Sequence, residues 1–284
     1  MKRNLIIVAI FLVGLSVFAY PLISNVISTG THATVISKYE EDLKKMSKKE
    51  IEQMKEDARK HNEKEINPNM IFTDPFAEGE DESNTSSGYY NLLNVGETMG
   101  SLEIPKINVD LPIYHGASDD VLRAGVGHLG NSSLPVGGAD THAILTAHRG
   151  LPSSKLFREL DQMKIGDKFF VHTLDETLAY QVDDIKIVLP SETNELIIEN
   201  GRDLVTLVTC DPYMINTDRM LVRGERIPYE PEEEAVRKPS EKPKFFEKII
   251  KELLILGGLL ILILLFILKH RKNKKKKSIE KEVD

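Results

Sequence analysis

Two long uncharged apolar runs lie near the ends of the chain, Leu5–Ile27 and Leu253–Leu268. About 20 helical residues, rising 1.5 Å each, cross a hydrocarbon core of about 30 Å. We therefore predict an N-terminal membrane anchor or signal segment at 1–30 and a C-terminal transmembrane helix at 251–270. A buried helix of a soluble protein is the alternative for the second run, but the basic tail at 271–284 argues against it.

Positive charge flanks both runs on their outer sides. Lys2 and Arg3 precede the first, and "KHRKNKKKK" follows the second. The positive-inside rule then predicts a cell-membrane protein with both termini in the cytoplasm and the region between them outside. "VFA" at 17–19 resembles a cleavage site, but the apolar run continues past it, which favours an uncleaved anchor.

Between the two runs the pattern changes twice. Residues 31–66 combine strong helix formers with apolar positions at a period of about 3.6, which predicts a region of one or two amphipathic helices. A solvated spacer is the alternative role. Residues 67–90 are rich in turn formers and acids, which predicts a loop, and loops this long are usually functional or disordered.

From residue 91 to 228 short β-rich segments alternate with turn residues. This spacing predicts a mainly β domain, a closed barrel or a sandwich. The predicted strands are 100–105, 109–114, 125–129, 141–148, 168–173, 178–189, 203–209 and 219–227, with short helices at 119–124 and 155–163. Residues 229–250 are charged and contain prolines, which predicts a linker to the second membrane segment.

Charge excludes one class of partner. The region between the membrane segments holds 27 of the 37 Lys and Arg and 41 of the 44 Asp and Glu, a net charge of −14. A domain this acidic does not bind nucleic acid through a basic patch.

Candidate chemistry centres on Cys210, the single cysteine of the chain. An exported protein with one cysteine has no internal disulfide partner for it, so the thiol is either a buried core group or a nucleophile. A cysteine nucleophile needs a proton carrier and a donor for the oxyanion. His148 and Arg219, at the ends of predicted strands, offer both, although Arg223 and Arg226 lie near Arg219 in sequence.

Other chemistries have weaker support. His142 and His148 share a strand face, but no HExxH-like cluster accompanies them, so we predict no metal site. A serine nucleophile lacks its GxSxG elbow.

The motif "TLVTC", with Arg219 nine residues on and "TAHRGLP" upstream, resembles the sortases, cysteine transpeptidases of the Gram-positive cell surface. The resemblance covers about residues 70 to 228. It implies a closed eight-stranded β-barrel with short helices, preceded here by N-terminal helices and flanked by transmembrane segments. It assigns Cys210 as nucleophile, His148 as general acid and base, and Arg219 as the oxyanion or substrate stabiliser.

The finer resemblance is to class C, the pilus-assembling sortases, through "AHRGLPSSKLFREL", "TCDPYMINTDRMLVRG" and the second membrane segment. "TDPF" at 73–76 resembles the lid motif of that class. The resemblance implies that Asp74 pairs with Arg219, and that Phe76, after Pro75, covers Cys210. Two positions depart from the class, Asp211 where Thr is common and Asp218 where His is common.

The resemblance also implies a reaction. Cys210 attacks the Thr carbonyl of an LPXTG-like signal, and His148, as imidazolium, protonates the departing Gly amine. A thioacyl-enzyme remains, which the Lys of a neighbouring pilin subunit resolves as an isopeptide, and no cofactor is needed. An anchoring sortase would use a peptidoglycan precursor amine instead.

Two further hypotheses come from other classes. A catalytically silent surface scaffold would not need the intact Cys, His and Arg set. A sortase substrate would carry an LPXTG-like pentapeptide before Leu253, and the chain has none there.

Overall fold

The computed structural model describes residues 2–64, 72, 74–77 and 88–231, with side chains from residue 10 onward. In chain order the helices and strands are α1 (Lys2–Lys45), α2 (Lys48–Lys64), β1 (Gly100–Ile104), β2 (Val109–His115), α3 (Asp119–Ala124), β3 (Val126–His128), β4 (Thr141–Thr146), β5 (Lys168–Thr173), β6 (Glu176–Val188), β7 (Asp203–Asp211) and β8 (Asp218–Ile227). The predictions for 232–284, and for most of 67–87, fall outside the described residues.

The eight strands form a closed barrel in the order β1-β2-β3-β4-β7-β8-β6-β5, which confirms the barrel prediction. β2 pairs with β3 and β4 pairs with β7 in parallel, and the other neighbours are antiparallel. It follows that β1, β4, β6 and β7 run in one direction. We call the end of the barrel where β4 and β7 finish the catalytic end.

Sequence and environment agree in β7, which reads "DLVTLVTCD" and is buried everywhere except at its two terminal residues. Such β-branched runs suit a strand covered on both faces. The neighbouring β8 carries Gly224, where a Cβ would lie 2.5 Å from the Phe169 ring. Glycine therefore lets β8 pass close to the barrel core at this point.

One stripe of α1 lies along the outside of the barrel. Ser24 donates to Ser153 O at 3.2 Å, and Ser28 donates to Ser154 Oγ at 2.8 Å. Further along, the Tyr39 hydroxyl donates to Met99 O at 3.2 Å and accepts from Leu174 N at 2.7 Å. His32 and Ile36, which continue the stripe, are buried. Spacings of three and four residues place these side chains on one face of the helix.

The predicted boundary at residues 30/31 is not an element boundary. α1 runs unbroken from Lys2 to Lys45, so the apolar run and the first part of the amphipathic region form one helix. The helix ends instead at Lys45. A capping box of Ser47 and Glu50 then starts α2: Ser47 N donates to Glu50 Oε2 at 2.7 Å, and Glu50 N donates to Ser47 Oγ at 3.2 Å. Two helices in the N-terminal region match the prediction of one or two.

Among the described residues, one helix is long and apolar enough to cross a bilayer. It is the part of α1 from Ile10 to Lys45, whose most apolar window has a mean hydropathy of 2.0 and is not buried against the barrel. This is the segment for which the sequence predicted an anchor.

One predicted helix was wrong, and several strand ends differ by one or two residues from the predicted ones, among them the end of β4 at Thr146 rather than at residue 148. The helix predicted at 155–163 is a series of turns with a 3-10 helix only at Leu160–Gln162. Leu156 has a φ of 38°, outside the right-handed helical region, and Phe157 N donates to His148 O at 3.1 Å rather than along a helix. The strand predicted to end at residue 209 continues to Asp211, because β8 pairs with it up to that residue.

Candidate active site

His148 and Cys210 leave neighbouring parallel strands at the catalytic end. The β4–β7 ladder pairs Thr146 with Val208. It continues past the end of β4, since Ala147 N donates to Val208 O at 3.2 Å and Thr209 Oγ1 donates to Ala147 O at 2.7 Å. His148 and Cys210 each lie two positions beyond the Thr146–Val208 pair, so they are level with each other at the rim of the barrel.

Arg219 faces the same point from the other neighbour of β7. The antiparallel β7–β8 ladder pairs Cys210 directly with Arg219. Directly opposed residues carry their side chains on the same face of the sheet, with Cβ atoms about 4.5–5.5 Å apart. Three consecutive strands, β4, β7 and β8, thus bring together the three residues that the sequence singled out.

Asp74 forms an ion pair with the guanidinium of Arg219. Arg219 Nε donates to Asp74 Oδ1 at 2.7 Å and Nη2 donates to Oδ2 at 2.5 Å, a bidentate pair. The third nitrogen, Nη1, donates to the backbone oxygens of Asn216 at 3.0 Å and Asp218 at 2.8 Å. The side chain of Arg219 is 9% exposed, so a substrate group can reach the guanidinium only after Asp74 leaves.

The Phe76 ring lies close to both His148 and Arg219. Its ring centroid is 5.6 Å from that of His148 and 5.1 Å from Arg219 Cζ. Pro75 is buried, and Phe72 packs in a buried cluster with Ile144, Leu129, Leu196, Val208 and Leu221. The described part of the predicted lid thus covers the rim where His148 and Arg219 lie.

Burial favours the neutral form of both candidate reacting groups. It raises the pKa of the Cys210 thiol to about 11, and the Asp74 carboxylate adds to the rise, whereas Arg219 and Arg149 act in the opposite sense. Burial also lowers the pKa of His148. At neutral pH this lid-covered arrangement holds a thiol and a neutral imidazole, not the imidazolium expected for a working enzyme.

Asp211 has a structural partner that the sequence did not reveal. Arg149 donates from Nη1 to Asp211 Oδ1 and lies 2.9 Å, at Nη2, from Asp161 Oδ2. The Arg149 side chain is 6% exposed. The carboxylate beside Cys210 is therefore paired with a buried guanidinium, so it need not oppose thiolate formation as an isolated charge would.

The remaining sequence candidates lie elsewhere. Arg223 pairs with Asp183 at 2.8 Å and with Glu199 at 2.6 Å. Arg226 lies over the Tyr180 ring, 5.7 Å from its centroid. His142 Nδ1 contacts Ile197 O at 2.8 Å and Nε2 contacts Thr206 Oγ1 at 2.7 Å, so both ring nitrogens are engaged.

Comparison with known proteins matches the Sortase domain model to residues 102–227. Sortase C of Streptococcus pneumoniae is 46% identical to this chain and superimposes with a TM-score of 0.63, covering 69% of this chain and 97% of that one. The chain belongs to the sortase family. Its members are cysteine transpeptidases that act on LPXTG-bearing surface proteins and pilins.

Other relatives extend the same result. Sortase C1 of pilus island 1 from Group B Streptococcus is 43% identical, with a TM-score of 0.65 and coverage of 74% of this chain and 98% of that one. Sortase D of Bacillus subtilis (strain 168) is 31% identical over 135 residues, 46% of this chain, and the match spans 65% of that protein. Sortase A of Streptococcus agalactiae serotype III is 27% identical over 228 residues, 78% of this chain and 83% of that one. Both solved structures named here are sortases C.

Substitutions at the two ends of the Arg149–Asp211 ion pair should shift the pKa of Cys210 in opposite directions. Arg149→Ala should raise the pKa of Cys210, because a cation is lost and Asp211 becomes unpaired, whereas Asp211→Asn should lower it. Arg149→Ala should also reduce the free energy of unfolding by about 1–3 kcal/mol, since a buried ion pair is broken. The pH dependence of thiol labelling measures the first effect and urea unfolding the second. Shifts of the same sign in both variants would contradict this role.

Proposed function

We propose that this chain is a class C sortase, a membrane-anchored transpeptidase that polymerises pilin subunits. The observation that carries the proposal is the Asp74–Arg219 ion pair with Phe76 beside His148, a lid over the rim that also holds Cys210. Likeness to sortases C from two streptococci, at 46% and 43% identity, supports the class. The work on the S. pneumoniae enzyme concerns its pilin substrate specificity.

The first half-reaction would proceed as follows. With the lid displaced, the Cys210 proton passes to His148, and the thiolate attacks the Thr carbonyl carbon of an LPXTG-like signal. Arg219 stabilises the oxyanion. The Thr–Gly bond then breaks as His148 gives its proton to the Gly nitrogen, leaving a thioester on Cys210.

In the second half-reaction, a Lys amine of the next pilin attacks the thioester. His148 accepts the amine proton, the C–S bond breaks, and the proton returns to the Cys210 sulfur. The product is an isopeptide bond. The acyl bond is conserved through the thioester, so the exchange of one amide for another needs no cofactor.

Proposed localisation follows from α1. Its residues from Ile10 to Ile27 are largely exposed and apolar, and Lys2 and Arg3 precede them, so α1 anchors the barrel outside the membrane with the N-terminus in the cytoplasm. The proposed division is an anchor at 1–30, a helical region at 31–66, a lid loop at 67–90 and a catalytic barrel at 91–228. A substrate held by its own membrane segment would then reach the enzyme by diffusing within the plane of the membrane.

An isopeptide-ladder assay tests the proposal. The full chain in detergent, incubated with a pilin that carries both an LPXTG-like signal and an acceptor Lys, should give covalent ladders whose junctions appear in mass spectrometry. A matched reaction with a peptidoglycan-precursor amine tests the anchoring alternative. If product forms with the precursor amine and none forms with the pilin Lys, the enzyme anchors proteins to the cell wall and the proposal of pilin polymerisation fails.

Loss of the lid contact should expose Cys210. Asp74→Ala combined with Phe76→Ala removes a carboxylate and a covering ring, so the Cys210 pKa should fall from about 11 toward its ordinary 9.0. Each unit of decrease raises the thiolate fraction ten-fold at neutral pH, so thiol labelling should accelerate about 10- to 100-fold. The chain has one cysteine, so an alkylating reagent reports on Cys210 alone.

Single variants separate the two causes. Asp74→Asn keeps the shape and removes the charge, whereas Phe76→Ala keeps the charge and removes the ring. If the double variant labels at the wild-type rate, the lid does not protect Cys210 in solution, and this part of the proposal fails.

A further inference from the structure

The catalytic end of the barrel carries most of its exposed apolar side chains. Tyr213, Met214 and Ile215 form the turn between β7 and β8 and are 45%, 59% and 67% exposed. Five further large apolar residues in the described part of the barrel domain are exposed: Tyr90, Ile165, Ile187, Leu189 and Ile197. Three of them, Ile165, Ile187 and Leu189, lie before the start of β5 or at the end of β6, which strand direction places at the same end. Exposed apolar groups concentrated at one end mark an interaction surface.

The same end lies next to the membrane-proximal part of α1. Tyr39 contacts Met99 and Leu174, at the end of the barrel where β1 begins and β5 finishes. Ser24, 15 residues earlier on α1, contacts Ser153 in the loop that follows His148. Going toward its N-terminus, α1 therefore passes from the opposite end of the barrel to the catalytic end.

The length of α1 sets how far the Ser24–Ser153 contact lies from the membrane surface. About 20 residues, counted from Leu5 at 1.5 Å each, cross a hydrocarbon core of about 30 Å and end near Ser24. The Ser24–Ser153 hydrogen bond therefore lies at the outer membrane surface. A Cβ on Gly150 would be 3.2 Å from Met214 Sδ, and Gly150 is three residues from Ser153, a reach of at most about 11 Å.

Ion pairs neutralise three of the acidic groups at this end. Glu159 pairs with Lys155 at 2.8 Å, and Asp161 and Asp211 pair with Arg149. Tyr213 adds an amphipathic ring of the kind enriched at membrane–water interfaces. Ile215 N and Asn216 N both donate to Pro212 O at 3.0 Å, so the turn is held in a defined shape.

We propose that the turn Tyr213–Ile215 inserts into the outer leaflet of the membrane, so that the catalytic end of the barrel rests on the lipid surface. The occupant of this apolar surface is lipid, and the argument for it is continuity with the α1 anchor. The active-site rim then opens at the level where a membrane-held substrate emerges. This inference needs α1 to span the bilayer, but it does not depend on which reaction the site performs.

Tryptophan scanning tests the proposal, because the natural chain contains no Trp. Met214→Trp, in the full chain reconstituted into phosphatidylcholine–phosphatidylglycerol vesicles, should show blue-shifted emission and quenching by acyl-brominated lipid. Tyr213→Trp is the conservative second position. Asn200→Trp, exposed in the turn before β7 at the opposite end, is the matched control and should be quenched several-fold less. Phe18→Trp, in the apolar part of α1, is the positive control.

The outcomes separate the proposal from its premise. Quenching of the Phe18 variant with none of the Met214 and Tyr213 variants would overturn insertion of the turn and leave the anchor in place. Quenching of none of the variants would overturn both. Blue-shifted emission from the Met214 variant without bromolipid quenching would assign the surface to a protein partner, such as a second copy of the chain, and would also overturn the proposal.

Discussion

Cys210→Ala should abolish transpeptidation, with a loss of at least about 10⁴-fold in the rate of thioester formation. The reason is that no other described side chain at the catalytic end is a thiol, and the chain has one cysteine in all. The change removes a single sulfur from a residue that is 5% exposed, so the free energy of unfolding should fall by only about 1 kcal/mol. Cleavage of a fluorogenic LPXTG-type peptide measures the first effect and circular dichroism on heating the second.

The control is the lid-free background. In Asp74→Ala with Phe76→Ala the site is open, so any residual activity after Cys210→Ala cannot be hidden by the lid. Trapping of an acyl-enzyme by hydroxylamine should be seen with Cys210 present and be lost with Ala. Retained cleavage in the triple variant would assign the nucleophile to another residue.

Burial keeps Cys210 protonated in the resting site, and Asp74 of the proposed lid adds to this effect. Asp74 holds Arg219, the group proposed to stabilise an oxyanion, and its charge also raises the pKa of Cys210. Displacement of one carboxylate would therefore free the oxyanion donor and favour the thiolate at once. A single substrate-driven movement can couple both changes, because the two depend on the same side chain.

The mainly β domain was predictable from local strand patterns, but these left a closed barrel and a sandwich both open. The resemblance to the sortases implied the closed barrel, and the motifs that carry it contain His148, Cys210 and Arg219, which three neighbouring strands bring together. The pairing of Cys210 with Arg219 needs only strand register, which alternation and a short turn fix. The TDPF motif likewise indicated the Asp74–Arg219 contact.

Long-range partners were not predictable in the same way. The bridge from Arg149 to Asp211 joins residues 62 apart, and no pattern in the chain specifies it. The helix predicted at 155–163 failed because Phe157 bonds to His148 O rather than within a helix. The unbroken α1 was missed because composition changes near residue 30 while the helix continues, its face set by contacts with Ser153, Ser154 and Met99.

Arg219→Lys should lower the rate of thioester formation by about 10²–10³-fold, the loss typical for removal of an oxyanion donor. Arg219 uses three nitrogens in fixed directions, two toward Asp74 and one toward the backbone oxygens of Asn216 and Asp218. A lysine keeps the charge but cannot hold the backbone oxygens and also present a planar pair of donors to the oxyanion.

Arg223→Lys is the matched control, because Arg223 lies on the same strand and is also ion-paired, but with Asp183 and Glu199. Its turnover should stay within about two-fold of wild type, since it touches no candidate reacting group. The two variants are compared by kcat and KM for the same peptide, with thiol labelling as a check that Cys210 is accessible in each. Equal losses in both variants would mean that β8 is disturbed as a whole. Near-normal kcat in Arg219→Lys would remove Arg219 from the proposed reaction and leave its pairing with Asp74 as a lid contact alone.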